Sequence, residues 1–175
     1  MNTWTAQILK KAGANRTHNL IAGNLAVEIR TQLRGRPCEV YISDIRVCIG
    51  RSLSFMYPDV MVVCGKPRFL DAETDTLLNP TVILEVLSPS TEAYDRGKKF
   101  RHYRQLPSLR EYVLISQESP LIERFFRRDE DWVLTSDLIR LDETLRLDAI
   151  VCAIPVQSIY ERVEFPPVTD ITAIT

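Results

Sequence analysis

The spacing of apolar residues predicts a long amphipathic helix near the start of the chain. Between residues 15 and 33 the apolar positions recur at helical spacing and share one face: Leu20, Ile21, Leu25, Ile29 and Leu33. Gly35 stands just beyond the last of them, a common position for the residue that ends a helix. We therefore predict a helix over 15–33 that buries this face.

Four later stretches have the pattern of β-strands. The segment 38–49, CEVYISDIRVCI, alternates in part between apolar and polar residues, as a single half-buried strand does. The segments 59–64 and 111–116, DVMVVC and EYVLIS, are short and rich in apolar residues. The segment 81–87, TVILEVL, is apolar on both faces, which is typical of a central strand.

A second helix is predicted between the strands at 81–87 and 111–116. SPST at 88–91 offers hydroxyl groups for helix capping, and Pro107 requires the helix to end by about Gln105. LIERFFRR and DWVLTS then predict a hairpin, and Pro155 begins a short helix. The order of helix, three strands, helix and strand predicts an α/β fold, with a central mixed sheet flanked by helices. We expect one domain over 1–175, with its core at about 15–165.

Composition narrows the class of protein. No apolar run approaches the ~20 residues that a membrane helix needs. The segment MNTWTAQILKKAG lacks the apolar core of a signal peptide, so the expected location is the cytoplasm. The cysteines are far apart in the sequence and are expected to be free thiols: Cys38, Cys48, Cys64 and Cys152.

The charges are distributed unevenly. Residues 96–128 contain nine Lys or Arg against three Asp or Glu, and residues 129–175 contain three against ten. A basic segment of this kind is typical of a surface that binds a polyanion, with the acidic C-terminal part masking some of it. A solvated face with a solubilising tail is the alternative interpretation.

The candidate chemistry begins with a carboxylate inside the predicted central strand. Glu85 is the only charged residue of TVILEVL, and Asp59 opens the preceding buried strand. An unpaired buried carboxylate is costly, so Glu85 needs a cation, a donor or a proton, and an ion pair with an arginine is one solution. If the two strands are neighbours, the two carboxylates converge and repel each other unless a divalent cation lies between them. Oxygen ligands of this kind suit Mg²⁺ or Mn²⁺.

The motifs around these residues resemble a known family. HNLIAGNL, YPDVMVV, EVLSPST and DRGKKFRHYRQLPSLREYVLI together resemble the Uma2-type "putative restriction endonucleases" of the PD-(D/E)XK nuclease superfamily, over residues 15–165. The resemblance implies a restriction-endonuclease-like core and a metal site formed by Asp59, Glu85 and the backbone carbonyl of Val86. The lysine of the motif is expected two residues after the acid, where this chain has Leu87. In the family this lysine is thought to have moved to the following helix, which leaves Lys98 and Lys99 as candidates.

Helix geometry favours Lys99 over Lys98. At ~100° per residue, Ala93, Phe100 and Tyr103 define the apolar face of the second helix. Lys99 lies about a quarter-turn from the centre of this face, whereas Lys98 points nearly opposite to it. We predict that the Lys99 ammonium group lies roughly 2.6–3.2 Å from the Glu85 carboxylate or from a water on the metal. Tyr103, one turn after Lys99, is a secondary candidate.

Three further residues are weaker candidates. His18 at the start of the first helix is expected to be a surface or capping residue, with a direct role in the chemistry as the alternative. Glu28 falls within the apolar stripe of that helix, so it either approaches the metal or reaches solvent or an arginine. Asp44 is an acid inside a predicted strand and is a candidate for contact with the site through a water.

These observations predict a metal-dependent endonuclease that hydrolyses phosphodiester bonds, in DNA. Asp59 and Glu85 are expected to bind Mg²⁺ or Mn²⁺, and Lys99 is expected to orient or activate the attacking water. Arg96, Arg101 and Arg104 are expected to contact phosphates. A homodimer is expected, because two sites cut two strands. The alternative, favoured by Leu87, is an inactive nuclease fold that serves as a nucleic-acid or protein binding module.

Overall fold

A computed structural model describes residues 15–50, 54–70 and 72–167 of the chain. The segment MNTWTAQILKKAG, which the sequence predicts is not a signal peptide, lies outside these residues, as does the end of the acidic C-terminal part. The first helix, α1, spans Arg16–Leu33, as predicted, and the Asn15 side chain caps it by accepting a hydrogen bond from the His18 amide at 2.8 Å. Its buried face is Ile21, Leu25, Ala26, Ile29 and Leu33.

The centre of the fold is a six-stranded sheet with the spatial order β1-β4-β6-β7-β8-β9. Its strands are β1 (Cys38–Ile42), β4 (Val60–Cys64), β6 (Val82–Leu87), β7 (Glu111–Ser116), β8 (Ile122–Arg128) and β9 (Asp131–Leu138). The β6–β7 pair is parallel and the other pairs are antiparallel, so the predicted mixed α/β sheet is confirmed. Every residue of β6 is buried, as its two apolar faces predict.

The remaining strands form two small sheets. One has the order β3-β2-β5, with β2 (Arg46–Ile49), β3 (Ser54–Met56) and β5 (Thr76–Leu77). The other pairs β10 (Thr144–Leu147) with β11 (Cys152–Pro155), and the short helix α4 (Val156–Ile159) follows at the predicted position. β3, β5, β10 and β11 were not predicted as strands, because each is short and lacks a clear period.

The two faces of the central sheet carry separate cores. α1, the β10–β11 hairpin and α4 pack on the face that contains Val60, Val62 and Leu84. Met61, Ile83 and Leu87 point to the other face, where the second helical segment covers them. Side chains alternate along a strand, so Glu85 shares the second face. The candidate site therefore lies between the sheet and the second helical segment.

The predicted second helix is a chain of three short helical turns. They are α2 (Glu92–Tyr94), a π-helical turn (Asp95–Lys99) and α3 (Phe100–Tyr103). The segment ends before Pro107, as predicted, and its buried residues are Asp95 and Tyr103. The π-helical turn was not foreseen, because the sequence pattern does not distinguish it from an α-helical turn.

Two predictions about the first strands were wrong. The segment 38–49 forms two strands in different sheets, because the chain turns at Ser43, which has a left-handed φ of 48°. Cys38 and Cys64 are not free thiols. They are cross-strand partners of β1 and β4, with Cα atoms 4.1 Å apart, and form a disulfide. Cys48 and Cys152 are free and buried, as expected.

Candidate functional site

The two candidate carboxylates meet where β4 and β6 pair. Val60 is the partner of Leu84 in this antiparallel ladder, so Asp59, one residue earlier, faces Glu85. Asp59 Oδ2 also accepts a hydrogen bond from the backbone amide of Val86 at 2.9 Å. Directly opposed side chains on one face have Cβ atoms about 4.5–5.5 Å apart. The strand pairing therefore brings Asp59 and Glu85 together at one point, as their positions in the sequence suggested.

Glu85 is enclosed by donors from the second helical segment. The residue is 1% exposed, and its Oε1 lies 2.8 Å from Lys99 Nζ. The Tyr103 hydroxyl donates to the same oxygen at 3.0 Å. The distance between Lys99 and Glu85 falls in the range expected from the helix geometry, whereas Lys98 is exposed. Glu85 is thus paired with a lysine, and not with an arginine as in the alternative interpretation.

Asp95 is a third carboxylate of the cluster. It is 4% exposed, and its Oδ1 lies 3.3 Å from Lys99 Nζ. The Tyr112 hydroxyl donates to the Asp95 carbonyl at 3.1 Å and ties this turn to β7. Asp95 was not predicted as a site residue, although it lies four positions before Lys99 and therefore about one helical turn from it. That spacing was the signal that could have identified it.

His18 also belongs to the cluster, so the expectation of a surface or capping role was wrong. Its Nε2 lies 3.2 Å from Asp59 Oδ2, and its side chain is 14% exposed. The reason is the position of α1, whose first turn reaches the end of β4 from the opposite face of the sheet. The sequence places His18 one turn before the buried residues Ile21 and Leu25, but it does not show which strand the start of this helix meets.

The pKa values of the two strand carboxylates, Asp59 and Glu85, are shifted in opposite directions. Burial works against ionisation of Asp59, but the hydrogen bonds from His18 and the Val86 amide outweigh it, so the pKa of Asp59 lies below its ordinary value. Burial raises the pKa of Glu85 to about 8, and the nearby Asp59 and Asp95 carboxylates counteract the effect of Lys99. Burial also disfavours the charge of Lys99, yet Glu85 and Asp95 raise the pKa of Lys99 above its ordinary value.

The donor set fits a divalent cation. Three carboxylates lie close to one lysine, and the Asp59 and Asp95 charges add to burial, which is the main cause of the raised pKa of Glu85. Additional positive charge at this point would relieve the repulsion, and carboxylate oxygens are the ligands that Mg²⁺ and Mn²⁺ prefer. No group of three or more His, Cys, Asp or Glu side chains among the described residues is arranged around one point as metal ligands. A cation here therefore needs a backbone carbonyl or water in addition to Asp59 and Glu85.

The two secondary acids differ in their position relative to this cluster, since the amide of Ser43, next to Asp44, donates to the Asp59 carbonyl at 3.2 Å. Glu28 is half-buried on α1, and ten residues separate it from His18, or about 15 Å along the helix axis. Asp44 is exposed in the turn between β1 and β2, so it is not an acid inside a strand. Within the described ranges, no hydrogen bond or ion pair joins either residue to Asp59 or Glu85.

The arginines of the basic segment have different surroundings. Arg96 is paired with Glu92 at 2.7 Å and with Glu123. Arg124 is 6% exposed and lies 3.1 Å from Glu111 and 2.7 Å from Asp148, so it belongs to the interior. Arg101 and Arg104 are exposed on the outer side of α3. The positive charge of the segment that faces solvent is therefore smaller than the sequence count suggests.

The Tyr103 hydrogen bond predicts a loss of stability when it is removed. In Tyr103→Phe the buried Glu85 carboxylate loses a donor, so we expect the free energy of unfolding to fall by about 1.5–3 kcal/mol. Urea denaturation measures this change. Tyr94→Phe is the matched control, because Tyr94 is 45% exposed in the same helical segment. Equal stability of Tyr103→Phe and the wild type would contradict the prediction.

The sequence of the chain matches the model of a protein family and is similar to other known proteins. A model of the Uma2 family, described as "Putative restriction endonuclease", matches residues 5–156. Two proteins from Synechocystis are similar, both named only as uncharacterized. One, sll1609, is 38% identical over 130 residues, which is 74% of this chain and 73% of that protein. The other, slr1290, is 35% identical over 160 residues, which is 91% of this chain and 82% of that protein.

A solved structure has the same fold. The crystal structure of "a putative nuclease belonging to DUF820" from Anabaena variabilis matches with a TM-score of 0.68. The match covers 88% of this chain and 86% of that one, at 15% sequence identity. At this identity the likeness concerns the fold alone, and it agrees with the predicted α/β fold with a central mixed sheet.

Proposed function

Because the chain belongs to the Uma2 family, described as "Putative restriction endonuclease", we propose that it is a nuclease that hydrolyses phosphodiester bonds in DNA. The observation that supports this proposal best is the buried contact of 2.8 Å between Lys99 and Glu85, beside Asp59. Two carboxylates and a lysine at one point match the chemistry that phosphodiester hydrolysis requires, and Leu87 is compensated by a lysine from the next helix.

The residues that would hold a divalent cation are Asp59, Glu85 and the backbone carbonyl of Val86. When bound, Mg²⁺ or Mn²⁺ polarises a phosphoryl oxygen and lowers the pKa of a bound water. The hydrogen bond from the Val86 amide and the contact with His18 orient the Asp59 carboxylate. Tyr103 and Lys99 hold Glu85 in one rotamer, because both contacts fall on Oε1.

Lys99 would orient the attacking water and stabilise the negative charge that develops on the phosphate. Its ammonium group lies between Glu85 and Asp95, at 2.8 and 3.3 Å, so its position is fixed before substrate binds. A group held in place in this way loses little entropy on reaction.

No helix among the described residues is long and apolar enough to cross a membrane. We propose a homodimer, because cleavage of both strands of a duplex is simplest with two sites.

The test of the site is divalent-ion binding. We expect Asp59→Asn and Glu85→Gln each to remove Mn²⁺ binding in calorimetric titration while the fold is retained, because each variant removes a charged oxygen ligand. Asp137→Asn is the control, since Asp137 is an exposed carboxylate on β9. Unchanged Mn²⁺ binding in either site variant would remove the proposed metal site.

A further inference from the structure

A row of solvent-facing side chains leads to the candidate site from β3. Between residues 55 and 60 every second side chain is buried. The side chains between them face solvent, since Phe55 is 43% exposed, Tyr57 is 51% exposed and the Asp59 side chain is 13% exposed. Side chains alternate across an extended chain, so these three lie on the same side. The row therefore ends at a proposed metal ligand.

Pro58 favours this arrangement. A residue before proline is biased towards extended backbone, which keeps Tyr57 in line with the strand that precedes it. Pro58 is itself buried, so it anchors the short connection between β3 and β4. A chain extends by at most about 3.6 Å per residue, which places Tyr57 within about 7 Å of Asp59 along the backbone and Phe55 within about 14 Å. A nucleotide next to a phosphate at Asp59 is therefore within reach of the Tyr57 ring.

The Phe55 ring is held in position by Arg46. The Arg46 guanidinium lies 4.9 Å from the centre of the ring, which is a cation–π contact. Arg46 Nε donates to Thr76 Oγ1 at 2.7 Å, and Arg46 Nη2 lies 3.3 Å from Asp75. Because Asp75 offsets the charge of Arg46, the row offers aromatic surface to a ligand rather than positive charge.

Aromatic rings beside a site for phosphodiester cleavage suit nucleobases as ligands. Single exposed aromatic side chains are ordinary features of protein surfaces, so exposure alone identifies no ligand. The alignment of Phe55 and Tyr57 with Asp59 adds the position of the substrate. Every nucleobase has a π face, so bases of any sequence can stack on such rings.

The spacing of the two rings favours an unpaired strand. Side chains two residues apart on one side of an extended chain are separated by about 6.6 Å. Successive nucleotides of a duplex strand are about 3.4 Å apart, and their bases stack on each other. Bases that stack on Phe55 and Tyr57 must therefore be separated from each other, which requires a strand that is unpaired at this point.

We propose that Phe55 and Tyr57 form a stacking surface for the bases of an unpaired DNA strand whose reacting phosphate lies at Asp59 and Glu85. Tyr57 stacks on the base nearest to this phosphate, and Phe55 stacks on a base farther along the strand. The inference rests on the proposed nuclease function and names the form of DNA that the site takes. A single strand and a locally unpaired segment of a duplex both have this chemistry.

The test compares oligonucleotides that differ in whether their bases are free. A short fluorescein-labelled single strand, its full duplex and a duplex with a central unpaired loop are each titrated with the protein in EDTA, which prevents metal-dependent cleavage. Fluorescence anisotropy reports binding. We expect the single strand to bind more tightly than the full duplex. Equal binding of the looped duplex and the single strand would identify local unpairing as sufficient, and binding of the single strand alone would restrict the ligand to free strands.

Variants of the two rings should weaken binding through stacking and not through charge. Tyr57→Leu and Phe55→Leu should each weaken binding of the single strand about tenfold, because one base no longer stacks. The slope of log affinity against log salt should stay unchanged, since no phosphate contact is lost. Both rings are exposed, so these variants are expected to fold.

Matched controls isolate the ring as the cause. Tyr57→Phe keeps the ring and should bind as the wild type does. Leu134→Ala removes an exposed apolar side chain from β9, at the far edge of the central sheet, and should leave binding unchanged. An oligomer with the same sugar–phosphate backbone but no bases should bind wild-type protein and Tyr57→Leu equally and weakly.

The outcomes separate this inference from the nuclease proposal. If wild-type protein binds the single strand and both leucine variants bind it equally well, the stacking surface is overturned and the nuclease proposal stands. A tenfold loss that also appears with the oligomer without bases would overturn it too, because the contact would then be with the backbone. If wild-type protein binds none of these oligonucleotides, the stacking surface and the DNA substrate both fall, whereas Mn²⁺ binding at Asp59 and Glu85 is measured separately.

Discussion

Lys99→Ala is expected to lower the rate of DNA cleavage by at least about 100-fold. The substitution removes the ammonium group that lies 2.8 Å from Glu85, and a positioned group that transfers or orients protons contributes about 10²–10⁴-fold. Single-turnover cleavage of plasmid DNA with Mg²⁺ or Mn²⁺ measures the effect. Mn²⁺ affinity should remain close to that of the wild type, because Asp59 and Glu85 are retained.

Lys98→Ala is the matched control. Lys98 is the preceding residue and is exposed, so its removal should leave cleavage unchanged. Unfolding curves for both variants guard against a loss of structure, since Lys99→Ala leaves Glu85 and Asp95 without their cation. Cleavage by Lys99→Ala at the wild-type rate would refute the assignment of this lysine. If wild-type protein binds Mn²⁺ and DNA but cleaves neither strand, the binding-module alternative would replace the nuclease proposal.

Arg124→Met is expected to lower the free energy of unfolding by about 3–5 kcal/mol. The guanidinium is buried and lies 3.1 Å from Glu111, a fully buried carboxylate that also accepts a hydrogen bond from the Ala149 amide at 2.6 Å. Breaking such a pair leaves an uncompensated buried charge, which accounts for the size of the effect. Urea denaturation followed by circular dichroism gives the value.

Two further variants test the cause of this loss. Arg128→Met removes an exposed arginine four positions later on the same strand and should change stability by no more than about 0.5 kcal/mol. Glu111→Gln added to Arg124→Met should restore part of the loss, because the buried charge is gone. A double variant as unstable as the sum of the two single variants would show that packing, and not the unpaired charge, is responsible.

The main elements of the fold followed from the sequence because their patterns are long and regular. α1 has five apolar positions at helical spacing, and β6 is apolar on both faces. The split of 38–49 into β1 and β2 did not follow, because it depends on the left-handed backbone of Ser43. The disulfide between Cys38 and Cys64 forms because the strand register places the two residues opposite each other. Their separation of 26 residues in the sequence does not reveal this register.

The candidate site was predictable in part for similar reasons. Asp59 and Glu85 stood out because a carboxylate in an apolar strand needs a partner. Lys99 was distinguished from Lys98 by its angle relative to Phe100 and Tyr103. His18 was missed because its approach to Asp59 is a contact between elements that are 41 residues apart in the sequence. Such a contact depends on how α1 lies across the sheet, and local periodicity carries no information about that.

The π-helical turn at Asp95–Lys99 makes the length of this segment as important as its composition. A π turn contains one more residue than an α turn, so deletion of a single residue would restore ordinary helical geometry without interrupting the helix. Deletion of a residue between Asp95 and Lys99 would place these two residues three positions apart instead of four, and would change the alignment that brings Lys99 Nζ to 3.3 Å from Asp95 Oδ1. Substitutions within the turn are a different matter, since a methyl group at Gly97 would meet no atom within 4 Å and Lys98 is exposed. In evolution, substitutions at the outer positions of this segment should therefore be tolerated, whereas the insertion or deletion of a single codon should not.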